Sequence, residues 1–201
     1  MPKKRLFQIF CAGLISTPVS SAPILDNYNG HYYEVISPNN GITWNEAYIG
    51  ANNLTYSGLQ GHLATITSQQ EFDWITSNLD YEGTFLGGTD QNSEGTWQWI
   101  TGETFNFTAW EPGEPNSWHG YNEDYLMFWW KNNNPVAGWN DTVNDPFSIP
   151  GAWFDLGYIV EYDGVPISGD PVSIPAPATL SLLGTAFLSF FTLRRRNLKR
   201  K

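Results

Sequence analysis

The residues able to do chemistry gather in one stretch, residues 111–141. It opens Glu111-Pro112-Gly113-Glu114-Pro115-Asn116-Ser117-Trp118-His119-Gly120-Tyr121-Asn122-Glu123-Asp124 and closes Gly138-Trp139-Asn140-Asp141. Between these ends runs Tyr125-Leu126-Met127-Phe128-Trp129-Trp130, aromatic and strand-like. Carboxylates and amides thus occupy two loops joined by a strand, with no sulfur among them. A hard divalent cation such as calcium takes several oxygens from carboxylates, amides and backbone carbonyls. The stretch reads as a calcium site whose ion in turn holds a ligand.

Enzymatic uses of the same residues fare less well. Glu111 and Glu114 could imitate the acid and nucleophile of a glycosidase. No Gly-x-Ser-x-Gly elbow, phosphate loop or zinc-type histidine pair accompanies them. The three histidines, His31, His62 and His119, are widely separated; His31 reads as a surface or edge residue and His62 as part of a surface link. The chain is read as a binding protein and not an enzyme.

Charge is sharply partitioned. Of the ten basic residues only Lys131 lies between Leu6 and Leu193, while all twenty acids do, so that span carries −19. So acidic a body repels phosphate backbones, which argues against nucleic acid. Solubility in a salty or extracellular medium explains the acidity as readily as cation recruitment does. The one cysteine, Cys11, lies in the N-terminal apolar run, so the body contains no disulfide. A core of this size can do without one.

Both ends read as addresses. Residues 1–5 are basic, residues 6–15 mostly apolar, and Val19-Ser20-Ser21-Ala22 is small, the three-part pattern of a signal peptide over residues 1–21. A domain over residues 22–163 and a linker over residues 164–174 follow. Then come Pro175-Ala176-Pro177, an uncharged apolar run to Leu193, and Arg194-Arg195-Arg196-Asn197-Leu198-Lys199-Arg200-Lys201. This segment, residues 175–201, resembles the PEP-CTERM sorting signal of Gram-negative bacteria, with Ala176 where that signal has glutamate. The resemblance implies an exosortase-like processing enzyme, transient anchoring in the inner membrane through the C-terminal helix, and delivery to the cell surface or exopolysaccharide matrix. A plain C-terminal membrane anchor is the alternative.

Between the addresses, the positioning elements follow in order. Residues 30–36 are aromatic and β-branched, an opening strand. Thr43-Trp44-Asn45-Glu46 has the form of a capping box, and Trp44, Ala47, Tyr48 and Ala51 make one buried stripe on the helix it starts. Ser68-Gln69-Gln70-Glu71 is a second capping box, whose helix buries Phe72, Ile75 and Leu79. Short strands are expected over residues 84–88 and 96–101, around the acidic turn Asp90-Gln91-Asn92-Ser93-Glu94-Gly95, and a last strand over residues 157–162 pairs with the first. Two early helices followed by strands and a long polar loop give an α+β pattern.

In this order stand Trp44-Asn45-Glu46-Ala47, Gly61-His62-Leu63-Ala64-Thr65-Ile66, Glu71, Phe85-Leu86-Gly87-Gly88, Trp97, Trp110, Glu114-Pro115-Asn116, Glu123-Asp124 and Trp139-Asn140-Asp141. Together they resemble a C-type lectin domain over residues 30–163. The resemblance implies a C-type lectin-like fold, two helices packed on short antiparallel sheets with a long calcium-binding loop. The family usually carries four cysteines; here Ala51, Val160 and Tyr125 stand at three of those places. It further implies that Glu114, Asn116, Glu123, Asn140 and Asp141 bind calcium at a principal site and contact the sugar, that Pro115 follows a cis bond, and that Asp90, Glu94 and Asp124 form a weaker auxiliary calcium site. Ser117 stands where that second site has aspartate.

The sugar preference implied by Glu114-Pro115-Asn116 is of the mannose, glucose and fucose type ahead of the galactose type. Ser117-Trp118-His119-Gly120-Tyr121 instead resembles the aromatic loop of galactose binders, with Trp118 able to stack on a sugar or to pack within its loop. A calcium-dependent carbohydrate-binding module is the first reading. A C-type lectin-like adhesion or protein-interaction module, with calcium as a brace, is the second.

Overall fold

The computed structural model describes residues 19–129, 137–149 and 156–164. The basic and apolar parts of the expected signal peptide, Lys131, nearly all of the linker and the whole sorting segment lie outside the described residues. Among the described residues, no helix is long and apolar enough to cross a membrane.

Ten strands are formed among the described residues: β1 (Val19–Ser20), β2 (Ile24–Leu25), β3 (Tyr32–Ser37), β4 (Thr55–Tyr56), β5 (Leu59–Leu63), β6 (Thr84–Thr89), β7 (Gln98–Trp99), β8 (Tyr125–Phe128), β9 (Trp139–Thr142) and β10 (Gly157–Tyr162). Two helices, α1 (Trp44–Asn52) and α2 (Gln69–Asn78), join them. The main sheet order is β1-β3-β10-β6-β8-β9, with β2 on β3, β5 on β10 and β7 on β6. The expected pairing of last strand with first is present, Val160 opposite Glu34 and Tyr162 opposite Tyr32. One pair departs from the antiparallel expectation: β10 runs parallel to β6, Gly157 opposite Thr84. The sheet is therefore mixed. Val19–Ser20, at the close of the expected signal peptide, pairs with Ser37 and Ile36.

Strand alternation divides the core into two faces. Ile159, Leu86, Leu126 and Phe128 pack with Phe72 and Ile75 of α2. Tyr158, Val160, Phe85, Tyr125 and Met127 pack with Trp44, Ala47 and Ala51 of α1. The helices therefore cover opposite faces of one sheet. Ala51 and Val160, at two of the places where the family has cysteine, are both fully buried in the α1 face. A Cβ on Gly61 would lie 2.8 Å from the Ala51 carbonyl oxygen and 2.9 Å from Val160 Cγ1. Tight packing stands here where a disulfide would otherwise cross.

Four local expectations need correction. The α1 capping box is complete, Thr43 accepting from the Glu46 amide and Glu46 from that of Thr43. At α2 only half forms: Ser68 accepts from the Glu71 amide at 3.2 Å. The Glu71 side chain turns inward instead, accepting from the Tyr33 hydroxyl at 2.6 Å and the Thr67 amide at 2.8 Å. Tyr48 is 40% exposed, stacked on Trp44 at 5.6 Å rather than buried. His31 and His62 are not free surface residues, since both meet acids at the closing strand. The strand expected over residues 96–101 shortens to Gln98–Trp99.

Trp139 anchors the second half of the molecule. It is fully buried, and Phe72, Trp99, Phe105, Phe107 and Trp110 surround its ring at centroid distances of 5.6 to 6.3 Å. Replacing it by alanine removes a large core side chain, and we expect a loss of about 3–5 kcal/mol. Thr43→Ala, which removes one cap, should cost about 1 kcal/mol. Urea unfolding of the two variants beside the parent checks both magnitudes, and the ratio between them.

Candidate functional site

The walls of the site are β8 and β9. Register sets Phe128 opposite Trp139, Met127 opposite Asn140 and Leu126 opposite Asp141. With Trp139 held in the core, alternation turns Asn140 to the other side, half-buried, and returns Asp141 inward, 4% exposed. The long loop is tied to this strand by its backbone. The Trp139 amide donates to the Ala109 carbonyl at 2.8 Å and the Glu111 amide to the Trp139 carbonyl at 2.9 Å. Gly138 admits this approach, because a Cβ there would lie 2.4 Å from Glu111 Oε1.

The next residues fold over the strand. The Glu114–Pro115 bond is cis, as the family resemblance implied. Asn116 Nδ2 donates to Glu114 Oε2. The Trp118 amide donates to Glu123 Oε2 at 2.7 Å, so the Ser117–Tyr121 turn is pinned to an acid at its far end. Asn140 Nδ2 donates to the carbonyl oxygen of Asp141. The Asp141 carboxylate accepts from the Asn116 amide and meets the Glu114 carboxyl group. All five residues expected at the principal site are thereby brought together.

Their electrostatics is that of acids crowded together and partly buried. Burial pushes Glu114 up to about 7, with Asp141, Glu123 and Glu111 adding to the rise. Glu123 is also pushed up to about 7, by burial first and by Asp141 after it. Asp141 is raised by burial, against the hydrogen bonds it accepts. Two carboxyl groups in hydrogen-bond contact can share a proton, but both cannot stay charged without a counter-ion. Moreover, Asp141 Oδ1 is buried with no hydrogen-bond partner. An orphaned carboxylate oxygen among repelling acids and two amide side chains is a donor set that fits a hard, oxygen-seeking cation.

The auxiliary group adjoins this one. Asp90 is 2% exposed, and its Oδ2 accepts from the Gly95 amide at 2.8 Å, closing the acidic turn. Its Oδ1 is a second buried oxygen without a partner. The Asp90 amide donates to the Asp124 carbonyl at 3.2 Å. Glu94 is raised chiefly by Asp90, and Asp124 by burial and then Asp90. Asp90, Glu94 and Asp124 thus share one field. Asp90 is a buried group and not a solvent-facing turn residue, which composition alone could not reveal.

Trp118 stands at the rim, 50% exposed, in a 3-10 turn (Trp118–Gly120) that places His119 at φ 54°. Its ring lies nearly parallel to Tyr121, 6.2 Å away. An exposed aromatic face beside the acids can meet the apolar face of a ligand whose polar groups face the carboxylates.

Residues 48–144 match the family model for the lectin C-type domain. Over these residues the chain is similar to the lectin C-type domain. Its fold is the C-type lectin fold, as the solved C-type lectin CEL-I from Cucumaria echinata shows, with a TM-score of 0.52 at 22% identity over 66% of this chain and 89% of that one. Halomucin of Haloquadratum walsbyi (strain DSM 16790 / HBSQ001) is 35% identical over 151 residues, 69% of this chain and 2% of its own length. A hepatic lectin of Gallus gallus is 35% identical over 85 residues, 41% of this chain and 38% of its own. The chain therefore spans a minor part of the length of these curated relatives.

The pH dependence of the metal-free domain follows from the site. Glu114 and Glu123 hold their protons to about pH 7 in the folded chain, against 4.5 ordinarily. Between those values the folded state binds more protons than the unfolded one, so stability falls as pH rises. His31 and His62 are likewise raised and act in the same direction. In chelator, the melting temperature should decline steadily as pH rises from about 4.5 through about 7, with the two histidines carrying the decline on above 6.5. Differential scanning calorimetry across that range checks the sign.

Proposed function

We propose that the C-type lectin domain is a calcium-dependent carbohydrate-binding module. The supporting observation is the buried, unpartnered Oδ1 of Asp141 within the set formed by Glu114, Asn116, Glu123, Asn140 and Asp141. These residues would hold calcium, and the ion would supply open coordination positions for two neighbouring sugar hydroxyls. The protein's own part is to use up the hydrogen-bonding capacity of each hydroxyl. Carboxylate oxygens of Glu114, Glu123 and Asp141 accept its proton, while the Asn116 and Asn140 amides donate to its lone pairs. A set made only of carboxylates could accept but not donate.

The Glu114-Pro115-Asn116 sequence favours mannose, glucose or fucose over galactose, and Trp118 would add a stacking surface. Asp90, Glu94 and Asp124 would hold a second, weaker ion beside the first, where the orphaned Asp90 Oδ1 is the supporting observation. The sequence patterns at the two ends support export, transient anchoring in an inner membrane, processing by an exosortase-like enzyme and display at the cell surface or in an exopolysaccharide matrix.

The test is retention on an array of immobilised sugars in calcium and in chelator. Retention in calcium, its loss in chelator, and competition by free mannose ahead of galactose are expected. Asn140→Ala combined with Asp141→Ala should abolish retention while leaving α1 and α2 folded by far-ultraviolet dichroism. Retention indifferent to chelator and unblocked by sugars would instead indicate the protein-interaction reading.

A further inference from the structure

On the opposite side of β10 from the lectin loop, chain entry and chain exit meet. Glu161 is 1% exposed, yet no lysine or arginine exists among the described residues to neutralise it. Burying an unpaired carboxylate is costly, so its neighbours must be cationic or must bind a cation. His31 Nδ1 lies 2.6 Å from Glu161 Oε1 and 3.7 Å from Asp163 Oδ1. His62 Nε2 lies 3.1 Å from the same Asp163 oxygen.

The second-neighbour contacts decide what these atoms can be. His62 Nδ1 is 2.9 Å from the Leu63 carbonyl, which can only accept, so Nδ1 carries the proton. In neutral His62 the Nε2 lone pair then points at a carboxylate oxygen, an arrangement that repels unless a proton or a metal ion lies between. Imidazoles that bind metals characteristically donate their other N–H to a carbonyl in this way. Glu161 is fixed from behind: the Thr65 amide donates to Oε2 at 2.9 Å, and the Tyr33 hydroxyl oxygen lies 3.0 Å from Oε1. Tyr33 in turn donates to Glu71 at 2.6 Å, and Thr65 donates its hydroxyl to Glu103 at 2.6 Å. Glu161 is thus held in place by the Thr65 amide, while the two imidazole nitrogens face carboxylate oxygens.

We propose that His31, Glu161 and Asp163 form a site for a borderline divalent ion such as zinc, separate from the lectin loop, with His62 beside it against Asp163. The three ligand atoms of His31, Glu161 and Asp163 lie within 4.8 Å of one another. Four donors around zinc, each at about 2.0–2.1 Å, stand roughly 3.4 Å apart at the corners of a tetrahedron. The 3.7 Å separation of His31 Nδ1 from Asp163 Oδ1 is close to that value, and the 2.6 Å contact of His31 with Glu161 has to open on binding. Imidazole with carboxylate suits zinc, whereas calcium prefers oxygen alone. The site would clasp the start of β3 to the end of β10, doing without cysteine what a disulfide does elsewhere. The backbones already touch there, because a Cβ on Gly164 would lie 1.8 Å from the Gly30 carbonyl oxygen.

The competing arrangement is a pair of imidazolium ions neutralising Glu161 and Asp163 with no metal. Zinc calorimetry and thermal melting on the full chain, carrying no histidine tag and saturated with calcium so that the lectin loop is occupied, separate the two. One equivalent of zinc at neutral pH and a raised melting temperature are expected. His31→Gln should weaken zinc binding at least about tenfold, and Asp163→Asn, at an exposed position outside the core, should do likewise. Cobalt(II) in place of zinc should show the visible absorption of a four-coordinate ion, lost in the same variants. Absence of zinc binding in the parent chain, with stability that rises only on acidification, establishes the imidazolium pair and overturns the proposal. Zinc binding unchanged by both substitutions places the ion elsewhere and overturns it equally.

Discussion

Carboxylate burial without basic side chains is the constraint on which this structure rests. Seven acids are buried, Asp26, Glu34, Glu71, Asp90, Glu123, Asp141 and Glu161, and no lysine or arginine is present among the described residues. Each acid must be met by neutral donors, a proton, an imidazole or a metal ion. Glu34 shows the cheapest solution, accepting from the Tyr162 and Ser20 hydroxyls. Glu71 takes the Tyr33 hydroxyl and the Thr67 amide. Asp26, Asp90 and Asp141 each keep one oxygen without any partner.

The scaffold turns that shortage into two defined places. A single sheet carries α1 on one face and α2 on the other, and β10 lies near its middle. Trp139 fixes β9 in the core, so Asn140 and Asp141 are set by alternation rather than by the loop that covers them. The loop can then be polar and rich in proline and glycine, because its position is taken from the strand through the Glu111 and Trp139 backbone bonds. Aromatic rings pack closely behind Trp139 on that side. On the other side, Gly61 comes close to Ala51 and Val160.

Much of this was legible in the residues. Capping at Thr43, the Trp44, Ala47 and Ala51 stripe, the first-to-last strand pairing and the clustering of the five loop residues all follow from local pattern or family resemblance. What escaped depends on partners distant in sequence. Glu71 reads as a capping residue because Ser68 lies three positions before it, but Tyr33 outcompetes the helix terminus from 38 residues away. Tyr48 fits the helical period, yet it stays exposed and stacks on Trp44. His31 and His62 carry no local signal, and only the register of β10 against β3 and β5 brings Glu161 and Asp163 to them. A hint was available in the charge count, since a body with almost no basic residues must neutralise any buried strand acid by histidine, tyrosine or metal.

The central claim is that protons on Glu114, Glu123 and Asp141 stand in for a cation that the folded loop is built to hold. Calcium titration by calorimetry, repeated near neutral pH in buffers of different ionisation enthalpy, measures this directly, because the difference between buffers counts protons released. Binding accompanied by proton release, diminishing as pH rises above about 7, is the predicted result. Calcium binding without proton release, or no binding at all, would contradict the account.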